Sequence, residues 1–248
     1  MEMNTSLIFD IPFLSADMDR AVELAFAMAE EKPVTVATPN AEILEEARKN
    51  PSLREAVEKA DLILPDGIGV VLAGKILGCP VKKKLAGVEF GEEVIRRAAE
   101  TGKSVYFLGA KPGVAEKAAE KMKEKYPGLP VAGTADGYFK DDEKAALRVK
   151  ESGAWIAFIC LGSPKQELFM ERFREKTGCR LHAALGGSLD VWAGNVRRAP
   201  RFMIRLGLEW LYRLFREPKR FGRMIKIPRV LVRALRIRLF GKGKKDRG

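Results

Sequence analysis

The stretch ADLILPDGIGVVLAG, residues 60–74, indicates the class of fold. Leu62, Ile63 and Leu64 form an apolar run long enough for a buried strand, and the glycine-punctuated segment after them is typical of a helix start. Asp66 stands between the two, where the strand ends and a loop begins. Because ligands of open α/β sheets bind at the carboxyl ends of the strands, this carboxylate is placed for chemistry. The structural alternative is that Asp66 caps the next helix through its first N–H groups.

The composition is that of a chain with a sizeable core. With 248 residues, of which 46% are hydrophobic, the chain can bury one large core or a core with an appendage. Its first residues lack a basic segment leading into an apolar one, and no run reaches the roughly 18 apolar residues of a membrane-spanning helix. We therefore expect a cytoplasmic protein. Cys79, Cys160 and Cys179 are far apart, which argues against disulfides and a zinc site.

The net charge of +12 is concentrated at the C-terminal end. From Val196 onward there are 18 lysines and arginines against three acids, a balance of +15, so the preceding residues together carry −3. This basic arm, residues 196–248, predicts a polyanionic partner: nucleic acid, an anionic membrane surface or a phosphorylated substrate. We accordingly divide the chain into a body, residues 1–195, and the arm as an appendage.

Strands and helices alternate along the body, which predicts an α/β fold with a mostly parallel sheet flanked by helices. Thr38 and Asn40 follow the strand VTVA, and Lys165 and Gln166 begin the helix after the longest apolar strand. Asn40 has a structural explanation as a helix cap. Consecutive parallel strands usually end at one edge, however, so these residues are also expected beside Asp66, where an anionic sugar nucleotide best explains the lysine and the glutamine.

Amide side chains are otherwise scarce: the chain has one glutamine and four asparagines, with 31% charged residues. This composition is typical of a heat-adapted protein.

Two glycine-rich joints are weak signals of nucleotide binding. The GxGxxG that begins at Gly67 is broken by Leu72, and the acidic residue of the dinucleotide fingerprint is missing, which disfavours NAD. Gly109 ends a strand and leads into a helix whose first N–H groups suit a phosphate. Tyr138, in the loop after the next strand, either stacks on a base or closes a turn.

We expect no metal ion and no other cofactor. Asp17 and Asp19 spell the DxD of metal-dependent sugar transferases, but they are better explained as a helix cap and a first-turn acid. His182 is the only histidine and lies in an apolar strand, which is typical of a core residue.

The arm is predicted to form two helices joined at Glu217 and Pro218, with Pro228 kinking the second. That second helix is predicted to be amphipathic, with a basic face and an apolar face, as in helices that lie in a bilayer interface. The alternative is a helix docked on its own protein. The basic face comprises Lys219, Arg223, Lys226, Arg229, Arg233 and Arg236, and the apolar face Phe221, Met224, Ile225, Leu231, Val232, Leu235 and Leu239.

Seven motifs together resemble the TagA/WecG family of bacterial glycosyltransferases. In order they are TPNAEIL, LILPDGIG, FLGAKPGVAE, DGYF, LGSPKQE, GGSLDVWAGNVRRAP and LGLEWLYRLFREPKR. The resemblance extends from about Ser6 to Arg223 and implies a Rossmann-like sheet. It implies transfer of N-acetylmannosamine, or its uronic acid, from a UDP-sugar to undecaprenyl-diphosphate-linked N-acetylglucosamine. The implied product is an inverted, β-1,4-linked disaccharide made at the inner face of the cytoplasmic membrane, in wall teichoic acid or surface polysaccharide synthesis.

The resemblance also implies roles for individual residues. Asp66 is the catalytic base, with Thr38 and Asn40 beside it and Gln166 in the same pocket. The arm's arginines close over the diphosphate when the arm meets the membrane; they are Arg213, Arg220 and Arg223. Further substrate-binding candidates in the same motifs are Gly109, Tyr138, Gly187 and Asp190. The family often has an arginine near Lys84 and an aspartate at Glu89, so we leave these two positions out of the site.

One carboxylate is enough for an inverting displacement, and without a metal the arginines and helix N-termini must stabilise the departing diphosphate. Two alternatives stay open. The first is the same chemistry with UDP-N-acetylmannosaminuronic acid or another UDP-sugar. The second is a nucleic-acid-binding α/β protein, which is disfavoured because the arm interleaves aliphatic residues and not exposed aromatics. An arm away from the membrane would expose an apolar face that favours a homo-oligomer.

Overall fold

Six parallel strands form the central sheet of the protein, whose computed structural model describes residues 3–216, 222 and 225–240. The order across the sheet is β4-β3-β8-β7-β5-β6, and every neighbouring pair is parallel. A separate antiparallel hairpin, β1-β2, precedes it. The strands are β1(Thr5–Ile8), β2(Ile11–Leu14), β3(Val34–Ala37), β4(Leu62–Ile63), β5(Val105–Gly109), β6(Val131–Ala135), β7(Ile156–Cys160) and β8(Leu181–Ala184).

Helices connect the strands and cover both faces of the sheet. In chain order they are α1(Met18–Glu31), α2(Ala41–Ala47), α3(Pro51–Glu58), α4(Ile68–Leu77), α5(Gly87–Thr101), α6(Val114–Lys125), α7(Asp142–Glu151), α8(Lys165–Thr177), α9(Ser188–Trp192), α10(Arg201–Arg205), α11(Glu209–Arg216) and α12(Lys226–Phe240). The predicted α/β class, with a mostly parallel sheet, is confirmed.

The central strands are mostly apolar because they are buried on both faces. Every residue of β3, β5, β7 and β8 is buried, and Phe107 of β5 stacks on Phe158 of β7 with 5.5 Å between ring centroids. His182 lies in β8 and is completely buried, so its predicted place in the core is confirmed. Asp17 caps α1 by accepting the N–H of Arg20, which confirms the structural explanation of the DxD spacing.

Three apolar clusters lie around the sheet. One contains α1, α5, α6 and α9 and covers one face. A second contains α7 and α8 and covers part of the other face. The third is built from the hairpin, α2, α3 and α4, and it includes Val230 and Ala234 of α12, which are both fully buried. Part of the arm therefore belongs to a core of the protein.

The helices of the arm differ from the prediction in their number. Before residue 217 there are two short helices, because the chain turns at Gly207, whose φ of +72° suits glycine. α12 begins at Lys226, so Pro228 lies in its first turn, where its missing N–H interrupts no helical hydrogen bond. The predicted kink stays a prediction, because residues 223 and 224 lie outside the described residues. The predicted junction at Glu217 and Pro218 lies outside the described residues.

One face of α12 docks on the body, as the structural alternative proposed. Val230 and Ala234 pack against α2 and α4, and the Arg233 guanidinium lies 4.2 Å from the centroid of the Phe9 ring. The opposite side keeps apolar residues exposed, among them Val232, Leu235 and Leu239. Of the predicted basic and apolar faces, Lys219, Phe221, Arg223 and Met224 lie outside the described residues, and the basic amphipathic character of the arm stays a prediction.

Candidate active site

At the carboxyl edge of the sheet, the connections that follow neighbouring strands leave toward opposite faces. The helix after β7, α8, packs in the cluster on one face, whereas the helices after its two neighbours, α6 after β5 and α9 after β8, pack in the cluster on the other. Chains that leave adjacent strands toward opposite faces open a crevice at the strand ends, and ligands of such folds bind there. The geometry therefore points to the carboxyl end of β7 and its neighbours.

Hydrogen bonds to backbone carbonyl groups connect the loops of this edge to one another. The N–H of Leu64 donates to the carbonyl of Ala37 at 2.8 Å, which aligns the loops after β4 and β3. Toward the other end, the N–H of Gly137 donates to Ala110 O at 2.9 Å, and Lys165 Nζ donates to Gly137 O at 3.2 Å. The loops after β5, β6 and β7 are thereby fixed as one surface.

Asp66 lies at this edge, three residues after the end of β4, and is partly exposed. The carbonyl before it, Pro65 O, accepts the N–H of Leu85 at 2.9 Å. The helix that follows has Gly67 as its N-cap, with φ of +82°, so Asp66 stands one residue before the position from which an aspartate caps a helix. Its place agrees with the role predicted for it, which stays a prediction.

Thr38 and Asn40 follow β3, the neighbour of β4, and both make hydrogen bonds that stabilise the fold. The Thr38 hydroxyl is buried and donates to Ala184 O at 2.8 Å, so it binds the end of β3 to the end of β8. Asn40 Oδ1 accepts the N–H groups of Glu42 and Ile43, which confirms the predicted cap of α2. A Cβ built on Gly67 would lie 3.8 Å from Asn40 Cβ, so this residue adjoins the Asp66 loop.

Gln166 is buried at the start of α8, and both ends of its amide are engaged. Oε1 accepts the backbone N–H of Gly186 at 2.9 Å, and Nε2 donates to Glu167 Oε1 at 2.8 Å. Burial raises the pKa of Glu167, and the hydrogen bond from Gln166 works in the opposite direction. Sequence reasoning gave Glu167 no role; its position one residue after Gln166 in the first turn of α8 was the available signal.

The remaining candidates occupy separate places along the edge. Gly109 ends β5, where a Cβ would lie 2.2 Å from Cys160 O, so the close approach of two strands already explains this glycine. Gly187 is exposed and precedes α9, and Asp190 is a partly buried residue of that helix. Tyr138 is 68% exposed and follows β6, five strand spacings or roughly 24 Å from the end of β4. Tyr138 is therefore not brought next to Asp66.

The structure describes none of the side chains of the three predicted arginines. Arg220 and Arg223 lie outside the described residues, and of Arg213 only the backbone position in α11 is described. The arm itself does approach the Asp66 loop. A Cβ on Gly207 would lie 3.0 Å from Ile68 Cγ1, and one on Gly69 would lie 3.5 Å from Ile227 Cγ2. Two segments of the arm thus contact the start of α4, directly after Asp66.

Ion pairs also join the arm to the body, at the two positions that sequence reasoning left out. Arg198 Nη2 lies 2.9 Å from Glu89 Oε1, and Arg198 Nε lies 3.7 Å from Glu209 Oε1. Lys84 Nζ lies 3.6 Å from Glu209 Oε2. The available signal was the departure of these two positions from the pattern that the motif resemblance implies. All four side chains are at least partly shielded from solvent. Lys84 thus connects the arm to the loop before α5, and Glu89 connects it to the first turn of α5.

Within the described ranges, no group of three or more His, Cys, Asp or Glu side chains is arranged to hold a metal ion. The cysteine nearest this edge, Cys160, is no nucleophile, because burial raises the pKa of its thiol to about 12. Among the same residues, no helix combines the length and the apolar character that crossing a bilayer requires. The groups that are present at the edge suit proton transfer by a carboxylate and binding of an anion by backbone N–H groups.

The fold defines an α/β protein with a parallel central sheet, a class whose ligands bind at the carboxyl ends of the strands. Comparison with known proteins narrows this class: the chain belongs to the WecG/TagA/CpsF family of glycosyl transferases, whose sequence pattern matches residues 6–244. It is therefore a glycosyltransferase, and the resemblance noted from its motifs is confirmed.

Two curated relatives are similar over nearly the whole chain. A protein of Bacillus spizizenii is 37% identical over 237 residues, which cover 94% of this chain and 92% of the relative. A protein of Bacillus subtilis is 32% identical over 236 residues, with the same coverage of both chains. Both relatives are named N-acetylglucosaminyldiphosphoundecaprenol N-acetyl-beta-D-mannosaminyltransferase.

Proposed function

We propose that this protein transfers N-acetylmannosamine from UDP-N-acetylmannosamine to undecaprenyl-diphosphate-linked N-acetylglucosamine, forming a β-1,4 linkage with inversion and without a metal ion. The observation that carries the proposal is the similarity to relatives so named, which covers 94% of the chain. The position of Asp66 at the carboxyl edge of the sheet supports it.

In the proposed reaction Asp66 accepts the proton of the acceptor's 4-hydroxyl group as that oxygen attacks C1 of the donor sugar. The bond from C1 to the UDP oxygen breaks on the opposite face, and UDP leaves with the bonding electrons. A general base of this kind accelerates a reaction by about 10²- to 10⁴-fold. Thr38, Asn40 and Gln166, with the glycines at the strand ends, shape the donor site around the crevice.

Negative charge gathers on the departing diphosphate, and cationic groups must stabilise it. We propose that the first turns of α6 and α8, which both begin at this edge, contribute N–H groups. Arg213, Arg220 and Arg223 complete the site from the arm. The contacts of Gly207 and Ile227 with the start of α4 support this coupling, because they hold the arm beside the Asp66 loop.

The acceptor's lipid chain lies in a membrane, so the protein is proposed to work as a peripheral protein on the inner face of the cytoplasmic membrane. The exposed side of α12 supports this location: Val232, Leu235 and Leu239 are 48%, 49% and 64% exposed. A helix that combines these three exposed apolar side chains with Arg229 and Arg236 is suited to binding an anionic lipid surface. We propose no nucleic-acid partner.

A panel of UDP-sugars, assayed with a lipid-diphosphate N-acetylglucosamine acceptor, tests the reaction. UDP-N-acetylmannosamine is expected to be the best donor, with the same rate in the presence of EDTA. Preference for UDP-N-acetylmannosaminuronic acid would change the assigned donor and leave the rest of the proposal intact. A rate abolished by EDTA and restored by a divalent cation would contradict the metal-free mechanism. Tight, salt-sensitive RNA binding with no affinity for UDP would contradict the enzyme assignment.

Flotation with vesicles that contain phosphatidylglycerol tests the location. The variant V232S/L235S/L239S is expected to float at least about tenfold less well, because burial of each side chain contributes roughly 1.5–3 kcal/mol. Leu7→Ser with Leu147→Ser is the matched control, since both residues are exposed apolar side chains outside the arm. Equal flotation of the two variants would contradict a membrane role for α12.

A further inference from the structure

Two neighbouring side chains of α8 form a buried polar pair that connects to the turn after β8. Gln166 and Glu167 are each 2% exposed. Their hydrogen bonds run in series: Glu167 Oε1 accepts from Gln166 Nε2, and Gln166 Oε1 accepts from the N–H of Gly186, 20 residues further along the chain. The pair thus links the first turn of α8 to the end of a different strand.

The order of these bonds follows from the donors and acceptors of each group. A carboxylate only accepts hydrogen bonds, so Glu167 requires the NH₂ end of the Gln166 amide to face it. The carbonyl end of the amide must then face Gly186, where it meets a donor. Without an acceptor at residue 167, the amide loses one of the two groups that fix its orientation, and only the N–H of Gly186 still holds its carbonyl end.

The turn at Gly186 borders open space. Its φ is +54°, Gly187 is exposed, and a Cβ built at either glycine would meet no atom within 4 Å. Because neither residue has a side chain, the turn can offer a ligand only its backbone N–H and C=O groups, whose directions depend on the conformation of the turn. It lies at the end of β8, between the ends of β3 and β7.

Burial of the Glu167 carboxyl group costs free energy. Glu167 Oε2 and Ser163 Oγ are buried without a hydrogen-bond partner among the described residues, although Ser163 is close enough to lower the pKa of Glu167. An apolar residue would fill a buried site without that cost. Burial also raises the pKa of this carboxyl group, as expected for an acid enclosed by protein.

We propose that Glu167 is a positioning residue of the transferase: it fixes the amide of Gln166, which in turn holds Gly186 so that the turn presents its backbone to the UDP-sugar. The inference rests on the proposed function. It gives Gln166 a role exerted through Gly186 in place of direct contact with the substrate, which agrees with the burial of its side chain.

Four variants and a control, assayed at pH 8, test the chain of contacts. Glu167→Met removes the acceptor, and Gln166→Glu places two buried carboxylates side by side. The double variant Q166E/E167Q exchanges the two groups, so that the new amide at position 167 would donate to the new carboxylate at position 166, which would still accept from Gly186. Glu167→Gln keeps an acceptor in place. The control Glu171→Met makes the same change one turn later on α8, at a residue paired with Lys59 on the surface.

The readouts are amide hydrogen exchange at Gly186 and the KM and kcat for the UDP-sugar. E167M and Q166E are expected to exchange Gly186 about tenfold faster and to raise the donor KM about tenfold, with kcat changed less than threefold. The exchanged pair Q166E/E167Q is expected to recover both values to within about threefold of wild type, and E167Q to lose less than threefold. Partial unfolding would instead lower kcat at constant KM.

Several results would overturn the inference. They are unchanged Gly186 exchange and KM in E167M, a loss confined to kcat, or an exchanged pair no better than Q166E alone. Should E167M fail to fold, the comparison of Q166E with the exchanged pair decides. Wild-type protein that transfers no sugar would overturn the proposed function and this role together, whereas an active wild type with an E167M equal to E171M would overturn this role only.

Discussion

Asp61 and Asp66 lie at the two ends of the same short strand, β4, and their surroundings differ. Asp61 is at the amino edge, where its carboxylate accepts from Lys32 Nζ at 2.6 Å and from the N–H and hydroxyl of Thr35 at 2.9 and 3.0 Å. Arg174 Nη1 adds a contact at 3.5 Å. Asp66 is at the carboxyl edge, among the loops that converge there. The contacts of Asp61 indicate a structural role, whereas the position of Asp66 agrees with the catalytic role proposed for it.

The pKa of Asp61 agrees with a structural role. Burial raises this pKa, but the hydrogen bonds from Lys32 and Thr35 outweigh burial and hold it below its usual value. A cavity of about 340 Å³ opens at this amino edge, lined in part by Thr35, Lys59 and Arg174. Ligands of parallel sheets bind at the opposite edge, so we assign this cavity no function. Position relative to the strand therefore separates two aspartates that local sequence does not.

The largest expected effect concerns Asp66. Asp66→Asn should lower the rate of sugar transfer by about 10²- to 10⁴-fold, because the acceptor hydroxyl loses its base. UDP affinity, measured by calorimetry, should change less than about threefold, since the diphosphate is proposed to bind to other groups. Turnover within a few-fold of wild type would refute the assignment of the base, and Asp61→Asn serves as the matched control at the other end of β4.

The second effect is a loss of stability in acid that is caused by the buried His182. Burial lowers the pKa of His182 to about 4, whereas an unfolded histidine titrates near 6.5. Between these values the unfolded chain binds the additional proton, so the free energy of unfolding should fall by about 3 kcal/mol as pH falls from 6.5 to 4. Urea denaturation across this range should show the loss in wild type and not in His182→Gln. Parallel curves for both proteins would exclude His182 as the cause.

The third effect tests Asp61 directly. Asp61→Ala should lower the free energy of unfolding by about 2 kcal/mol, because it leaves the Thr35 N–H without its acceptor. The activity of the folded protein should stay within twofold of wild type. Since the folded pKa of Asp61 is depressed, its contribution is present above about pH 4 and is lost as pH falls further. Loss of transfer without loss of stability in this variant would break the comparison.

The smallest effect is expected on the surface beside the same cavity. Lys59 Nζ lies 2.9 Å from Glu171 Oε1 and 2.8 Å from Glu55 Oε1, and its side chain is 54% exposed. Exposed pairs contribute little, so Lys59→Met should change the free energy of unfolding by less than about 1 kcal/mol and leave transfer unaltered. A larger loss of unfolding free energy, measured by thermal unfolding, would show that the ion pairs of Lys59 stabilise the protein more than their exposure indicates.

Local features were predictable because they depend on residues close in the chain. The caps by Asp17 and Asn40 each involve N–H groups two or three residues away, and the burial of His182 follows from its apolar strand. Pro228 shows the limit of such reasoning, since its effect depends on where the helix begins. Heat adaptation, the division at residue 196 and self-association stay predictions, and thermal unfolding and sedimentation would test the first and the last.

Long-range contacts were not predictable. Arg198 and Glu89 pair across 109 residues, and nothing near either position identifies the partner. Likewise, the docking of Val230 and Ala234 on α4 required the position of that helix, because the amphipathic pattern of α12 suits a membrane and a protein surface equally.

The sequence by itself determined the alternation of strands and helices, the polar residues that follow each strand, and the family, because periodicity and motifs are carried by neighbouring residues. Only the tertiary structure decided that Asp61 accepts hydrogen bonds from Lys32 and Thr35, that Gln166 reaches Gly186, and that the arm contacts the start of α4, directly after Asp66. Each of these depends on groups far apart in the chain, which meet only when the parallel sheet brings the strand ends to a common edge.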